Sequence, residues 1–129
     1  MLPLTVDTVR LSLHVLAATV WVGGQLTLAG LVPGLRALGD DAPRMVARRF
    51  NRIAWPAYGV LVATGVWNLL ELPVGDFDVE WQVTLMVKIT VVALAGVSAA
   101  VHAGARSRAA LAAFGALGGV TSVAAVVLG

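Results

Sequence analysis

Four long hydrophobic stretches, separated by short polar connectors, run through the sequence. The first, residues 11–35, carries no charge at all, and three further apolar stretches follow it. Each is long enough to cross a bilayer as a helix, which takes about 20 apolar residues. The pattern predicts an all-α integral membrane protein: a four-transmembrane-helix bundle in a single domain over residues 1–129, with spans at about residues 8–35, 47–71, 80–105 and 108–128.

The first stretch is expected to be a retained span rather than a cleaved signal peptide. The segment before it is not basic overall, since it holds both Asp7 and Arg10. Its apolar run exceeds the roughly 7–15 residues of a signal-peptide core. Pro33 comes only after a full crossing.

The connectors differ sharply in charge, and this predicts orientation. Basic residues gather at the first and third connectors: Arg36, Arg44, Arg48, Arg49, Arg52, Arg106 and Arg108. The second connector, residues 71–80, holds four carboxylates and no basic residue. Because Lys and Arg are in excess in cytoplasmic loops, we expect both termini on the outer, non-cytoplasmic side of the cell inner (plasma) membrane, in a multi-pass arrangement.

Composition supports a lipid environment and excludes several functions. The chain is 59% hydrophobic and only 12% charged, whereas soluble domains average about 25% charged residues. Its net charge of +2 lies in the connectors, so no nucleic-acid-binding groove is expected. The absence of cysteine excludes disulfides, iron–sulfur clusters and thiolate metal sites.

Three ionisable side chains within the apolar stretches, His14, Lys88 and His102, are the first candidates for function. A lysine near the middle of a bilayer costs at least ~2.5 kcal/mol, so Lys88 needs a reason to be there. His14 and Lys88 each lie roughly 10–12 Å below the outer surface, so they are predicted neighbours and potential metal ligands. His102 lies near the cytoplasmic end, too far from His14 to share one metal.

One face of the first helix suggests a slot for a flat ring. It carries, in order of depth, His14, Ala18, Trp21, Gln25 and Leu28, at positions that share a helix face. A haem b with its iron at His14 would lie alongside Trp21. Its carboxylates would need basic or hydrogen-bonding partners, and the candidates are Arg49, Arg52 and His102.

Each candidate also has a simpler explanation. Either histidine could only hydrogen-bond to a carbonyl of a neighbouring helix, and Trp21 could only fill space. Lys88 could extend toward Asp78 and Glu80 at the outer interface. If Lys88 is neutral it could be the second axial ligand, a form that desolvation favours; if it is charged it is a counter-charge for an anion.

Short motifs resemble a known family. The first helix reads His14-Val-Leu-Ala-Ala-Thr-Val-Trp21-Val-Gly23-Gly24, which resembles the opening helix of the copper-resistance protein D (CopD) superfamily. Arg48-Arg49-Phe50-Asn-Arg52 followed by Thr64-Gly65-Val66 is similar to its next helix. HemJ-type protoporphyrinogen oxidases share the plan, and the corresponding residues here are His14, Trp21, Arg49, Pro56, Lys88 and His102. The resemblance covers about residues 10–105.

The resemblance implies a four-helix membrane protein tied to haem b or to copper. Our leading hypothesis is a haem-b-binding protein for electron transfer or, as an oxidoreductase, for porphyrinogen-type oxidation, in which the cofactor supplies the redox chemistry. The alternatives are a copper transport or resistance protein that uses His14 and Lys88, and a cofactor-free accessory subunit of a larger membrane complex. A homodimer is a further expectation, because four helices barely enclose a large cofactor.

Overall fold

The computed structural model describes residues 4–128, apart from the side chains at positions 74 and 108, and every regular element in that part of the chain is helical. Four helices are long and apolar enough to cross a membrane: Val6–Ala37, Ala42–Glu71, Val79–Gly104 and Ala109–Val127. The prediction of an all-α protein with four spans is confirmed. The side on which the termini lie and the single domain stay predictions, and positions 1–3 and 129 of that domain lie outside the described residues.

The first span is not one uniform α-helix. It consists of α1 (Val6–Ala18), a π-helical segment (Thr19–Gly23) and α2 (Gly24–Ala37). The side chain of Thr5 caps α1 by accepting a hydrogen bond from the backbone of Thr8. A π-turn holds more residues than an α-turn, so the residues after it are rotated from the positions that an uninterrupted helix would give them. Such segments are frequent at functional sites.

A short connection leads into the longest helix, α3 (Ala42–Glu71), of 30 residues. Gly39 lies in this connection with a φ of 141°, a backbone conformation that residues other than glycine rarely adopt. The helix continues through Pro56 without a break in its assignment. At about 1.5 Å per residue it is about 45 Å long, which exceeds the roughly 30 Å thickness of the hydrocarbon layer.

The helices form two compact units, one ending at Leu72 and the other beginning at Pro73. In the first unit α1 packs against α3, and on both helices the buried side chains recur at the spacing of one helix face. They are Arg10, Ala17 and Trp21 on the first span and Ala54, Leu61 and Thr64 on α3. Two of these six, Arg10 and Thr64, are polar, and the charge of Arg10 is rare among residues buried within a membrane span.

In the second unit α4 (Val79–Gly104) packs closely on α5 (Arg108–Val127). Asp78 and Ser107 cap the two helices by accepting backbone hydrogen bonds. The contact is made of small side chains: Ala95, Gly96 and Ser98 on α4, and Gly118, Thr121 and Ser122 on α5. Small residues let helix backbones approach closely within a bilayer.

Candidate functional site

His14 faces α3, where its Nδ1 atom lies 2.8 Å from Oγ1 of Thr64. The Thr64 hydroxyl has one hydrogen, and it donates this hydrogen to the backbone, with the carbonyl oxygens of Val60 and Leu61 at 2.7 and 3.2 Å. The His14 Nδ1 must then be the donor and the Thr64 oxygen the acceptor. In a neutral ring this places the lone pair on Nε2, the form in which imidazole binds a metal ion.

The residues around this hydrogen bond hold the imidazole ring in place. Thr64 is 5% exposed, so its hydroxyl is shielded from competing water. Next to it, a Cβ at Gly65 would lie 3.4 Å from Cε1 of His14, so the ring passes close to a bare backbone. The Thr64-Gly65 pair thus supplies an acceptor on one residue and clearance on the next. Partners of this kind orient ligating histidines in many metal sites.

A buried arginine lies one turn from His14 toward the start of α1. Arg10 is 9% exposed, and its guanidinium lies 3.1 Å from an Asp7 oxygen and 3.9 Å from an Oε1 of Glu71. It also lies 5.7 Å from the ring centroid of Trp67, which donates to Glu71 at 3.2 Å. Two carboxylates therefore balance this positive charge and join α1 to the end of α3.

Two turns from His14 in the other direction, the aromatic ring of Trp21 is covered by the chain itself. Trp21 is 3% exposed and lies 4.5 Å from Tyr58 and 5.6 Å from Trp55, measured between ring centroids. Close by, the ring of Phe50 lies so near Gly24 that a Cβ there would collide with it. The side chains of α3 thus occupy much of the space that the sequence suggested for a flat ring beside Trp21.

Several buried polar atoms on the first span and α3 have no hydrogen-bond partner within the described part of the chain. On the first span they are Nε of Arg10, Nε1 of Trp21 and Nε2 of Gln25, and on α3 the atom is Oδ1 of Asn68. A buried unpaired donor or acceptor costs about 1–3 kcal/mol. Four such atoms on one helix pair indicate a place where water or a polar ligand completes the structure.

His102 has a different environment. Its Nδ1 lies 2.8 Å from the carbonyl oxygen of Leu111, which can only accept, so the ring donates. The ring also packs on Gly115, where a Cβ would lie 3.0 Å from Cε1. This hydrogen bond ties the last turn of α4 to the first turns of α5. It corresponds to the simpler explanation given for this residue, while a role toward a cofactor stays a prediction.

The remaining predicted site residues are spread over both units. Arg49 and Arg52 are exposed on the early turns of α3, and about 18 Å of helix separates Arg52 from Thr64. Lys88 is half-buried on α4, and the described residues include no carboxylate within 4.0 Å of it. The pairing of His14 with Lys88 stays a prediction, because these side chains belong to different units.

Sequence reasoning missed the residues that define the environment of His14. Thr64 appeared only as part of a family motif, and Arg10 only as a flanking charge. A signal for Arg10 was present, since Arg10, His14, Ala17 and Trp21 recur every three or four residues on one helix face. No comparable signal marks Thr64, because its role depends on which face of α3 meets α1.

The ligand count limits which metal site the chain can form. Among the described residues, no three His, Cys, Asp or Glu side chains are grouped so that they could hold a metal ion. A single oriented imidazole suits an ion in transit, or a metal that brings other ligands with it.

The fold and the site define a multi-pass membrane protein with an oriented histidine inside its first helix pair. A family model described as copper resistance protein D matches residues 44–128, about two thirds of the chain. The chain belongs to this CopD family. Comparison with curated proteins gave no significant match, and neither did comparison with solved structures.

The matched segment bears on the sequence-based resemblance in two ways. It reaches through α5, a helix about which the short motifs said little. It begins at residue 44, so it contains Thr64 but not His14. The family assignment therefore rests on α3, α4 and α5. It establishes a copper-resistance-related membrane protein, with the lipid bilayer as its environment.

Proposed function

We propose that this chain moves or delivers copper ions within the membrane, with the ion as cargo and His14 as a nitrogen ligand along its way. The family to which the chain belongs supports copper as the ion. The observation that carries the proposal is the hydrogen bond from His14 Nδ1 to Thr64, which selects the tautomer with its lone pair on Nε2. Imidazole is a suitable ligand for copper.

The sparse ligand set fits a cargo. An ion that crosses a membrane must be bound strongly enough to enter and weakly enough to leave. The described residues offer one oriented imidazole and no group of three ligating side chains. Such a site can bind a copper ion and still release it. The negative charge of Asp7 and Glu71 offsets Arg10 at the start of this line, so a cation approaching His14 does not face an unbalanced positive charge.

The unpaired polar atoms on either side of His14 support a row of water molecules between the first span and α3. Arg10 and Asn68 lie toward the start of α1, and Trp21 and Gln25 lie toward α2. Water molecules that pair with these atoms would lower the cost of moving a charge through a low-dielectric layer. In this proposal the copper ion replaces a water ligand by the imidazole nitrogen when it reaches His14.

A haem b cofactor is the second candidate, and one observation favours it. The described residues orient one imidazole on α1, and a haem iron needs few protein ligands because the porphyrin supplies four. The role of Lys88 as a second ligand or a counter-charge stays a prediction, and the bound cofactor would supply electron transfer or porphyrinogen-type oxidation.

The test uses a matched pair of substitutions in the full chain. His14→Gln and His102→Gln each remove one imidazole and keep an amide N–H that can donate. The purified proteins are first examined by absorption spectroscopy, and then reconstituted into liposomes in which copper accumulation is measured. Far-UV circular dichroism checks that each variant keeps its helix content.

The outcomes separate the two candidates. Colourless protein whose copper accumulation falls to the protein-free level in His14→Gln, but not in His102→Gln, supports copper as cargo. A Soret band that disappears in His14→Gln supports the haem candidate instead. Colourless wild-type protein that takes up no more copper than empty liposomes overturns both.

A further inference from the structure

The exposed arginines at the amino-terminal end of α3 form a surface that the copper proposal does not use. These arginines, which we call the arginine stripe, are Arg44, Arg48, Arg49 and Arg52, and all four are exposed. Within residues 4–128 none of them has a carboxylate within 4.0 Å, since both recorded ion pairs belong to Arg10. Four neighbouring exposed positive charges with no internal partner form a surface suited to negatively charged groups outside the chain.

The stripe occupies one side of the helix. At 100° per residue its four positions fall within an arc of about 140°. The opposite side of the same turns is the packed one: the ring of Phe50 lies against Gly24, and Ala54 is 1% exposed. The guanidinium groups therefore lie on the side of α3 that faces away from the first span, and they are exposed there.

Helix length places the stripe at the level of the lipid headgroups. Trp67 and Glu71, with Arg10 nearby, mark one interface at the carboxyl end of α3. From Ile53 to Glu71 the helix rises about 28 Å, which matches the roughly 30 Å hydrocarbon layer. The turns that carry the stripe therefore extend about 12 Å beyond that layer, into the headgroup region of the opposite leaflet.

We infer that the arginine stripe binds the phosphate groups of anionic phospholipids in that leaflet. Guanidinium groups bind phosphate oxygens through two parallel hydrogen bonds, and juxtamembrane clusters of this size bind acidic headgroups. Depth decides in favour of lipid over a soluble acidic partner, because phospholipid phosphates lie at the level of these side chains. This binding does not depend on copper transport, since the stripe lies on a different part of α3 from Thr64, the partner of His14.

The test measures lipid preference rather than activity. The full chain is purified in detergent, mixed with equal amounts of phosphatidylglycerol and phosphatidylcholine, and examined by native mass spectrometry for bound lipid. Four variants are compared with it: the triple glutamine variant R48Q/R49Q/R52Q, the triple lysine variant R48K/R49K/R52K, and the single substitutions Arg48→Gln and Arg106→Gln. The single substitution Arg48→Gln is the matched partner of Arg106→Gln.

The expected result is a wild-type preference for phosphatidylglycerol. It falls about 5-fold in Arg48→Gln and about 100-fold in the triple glutamine variant, at roughly fivefold per arginine. Arg106→Gln, which removes one charge outside the stripe, lowers it less than Arg48→Gln does, and the triple lysine variant keeps part of it because the charge is retained while the paired hydrogen bonds are lost. Equal binding of the two lipids by the wild type overturns the inference, and so does a triple glutamine variant that keeps the preference. A triple lysine variant that loses as much as the glutamine variant also overturns it.

Discussion

The helix pair of the first unit and the helix pair of the second solve the same packing problem in different ways. In the first, α1 and α3 bury large and polar side chains, including Arg10, Trp21 and Thr64. In the second, α4 and α5 bury mainly small residues such as Ala95 and Ser122. Four of the five buried polar side-chain atoms left without a partner in the described chain belong to the first pair. The second pair buries small side chains in close contact, whereas the first buries a charged guanidinium group, a large aromatic ring and most of the unpaired polar atoms.

The two histidines show this difference at the level of single atoms. Both donate from Nδ1, but His14 donates to the hydroxyl of Thr64 and His102 to the backbone carbonyl of Leu111. A side-chain partner can be removed by one substitution, whereas a backbone partner cannot. A single substitution can therefore remove the hydrogen-bond acceptor of the histidine in the first pair but not that of the histidine in the second.

The largest expected effect comes from removing the imidazole of the first pair. His14→Gln should lower copper binding or transport by more than about 100-fold, beyond the 10–100-fold typical of losing a supporting residue. Its helix content should stay at the wild-type level, because His14 is only half-buried. Copper accumulation and circular dichroism on the same preparation check both parts. An equal loss in His102→Gln would remove the distinction between the two histidines.

Removing the partner of His14 should have the next largest effect. Thr64→Val keeps the shape of the side chain but deletes the acceptor, so the ring loses its preferred tautomer and copper affinity should fall about 10–100-fold. Thr64→Ser restores the hydroxyl and should return the affinity to within a few-fold of wild type. Copper titration of the purified variants measures both. Equal affinities for the valine and serine variants would show that the hydroxyl does not orient the ring.

Overfilling the second pair should affect stability and leave the metal site alone. Ser122 is 2% exposed, so Ser122→Leu forces a large side chain between α4 and α5 and should cost about 1–3 kcal/mol. Ser122→Ala should be at least as stable as the wild type, because it removes a buried hydroxyl that has no partner among the described residues. Unfolding in detergent, followed by circular dichroism, measures the difference. A leucine variant as stable as the alanine variant would contradict the close packing of this pair.

The smallest effect is expected under the ring of His102. A methyl group at Gly115 would lie 3.0 Å from the His102 ring, whereas one at Gly119 would meet nothing within 4 Å. Gly115→Ala should therefore be about 1 kcal/mol less stable than Gly119→Ala, which gains the usual helix benefit without a clash. Thermal unfolding of the two variants provides the comparison. Equal stability would mean that the ring moves away without cost.

Hydropathy was sufficient to predict the four helices, because each apolar stretch has the length of a bilayer crossing. It also singled out His14, whose cost inside a span is visible in the sequence alone. The π-helical segment around Trp21 was not predictable, since residues 19–23 carry no pattern that separates a π-turn from an α-turn. The partners Thr64 and Leu111 were equally hidden, because the rotation of one helix against another depends on packing over many residues.

The central claim is that Thr64 holds His14 with its proton on Nδ1, and ring-nitrogen NMR of histidine-labelled protein tests it most directly. The wild type should show both histidines protonated on Nδ1, and Thr64→Val should change the signal of His14 while that of His102 stays as it was. A wild-type His14 protonated on Nε2, or a signal that does not respond to Thr64→Val, would contradict the account.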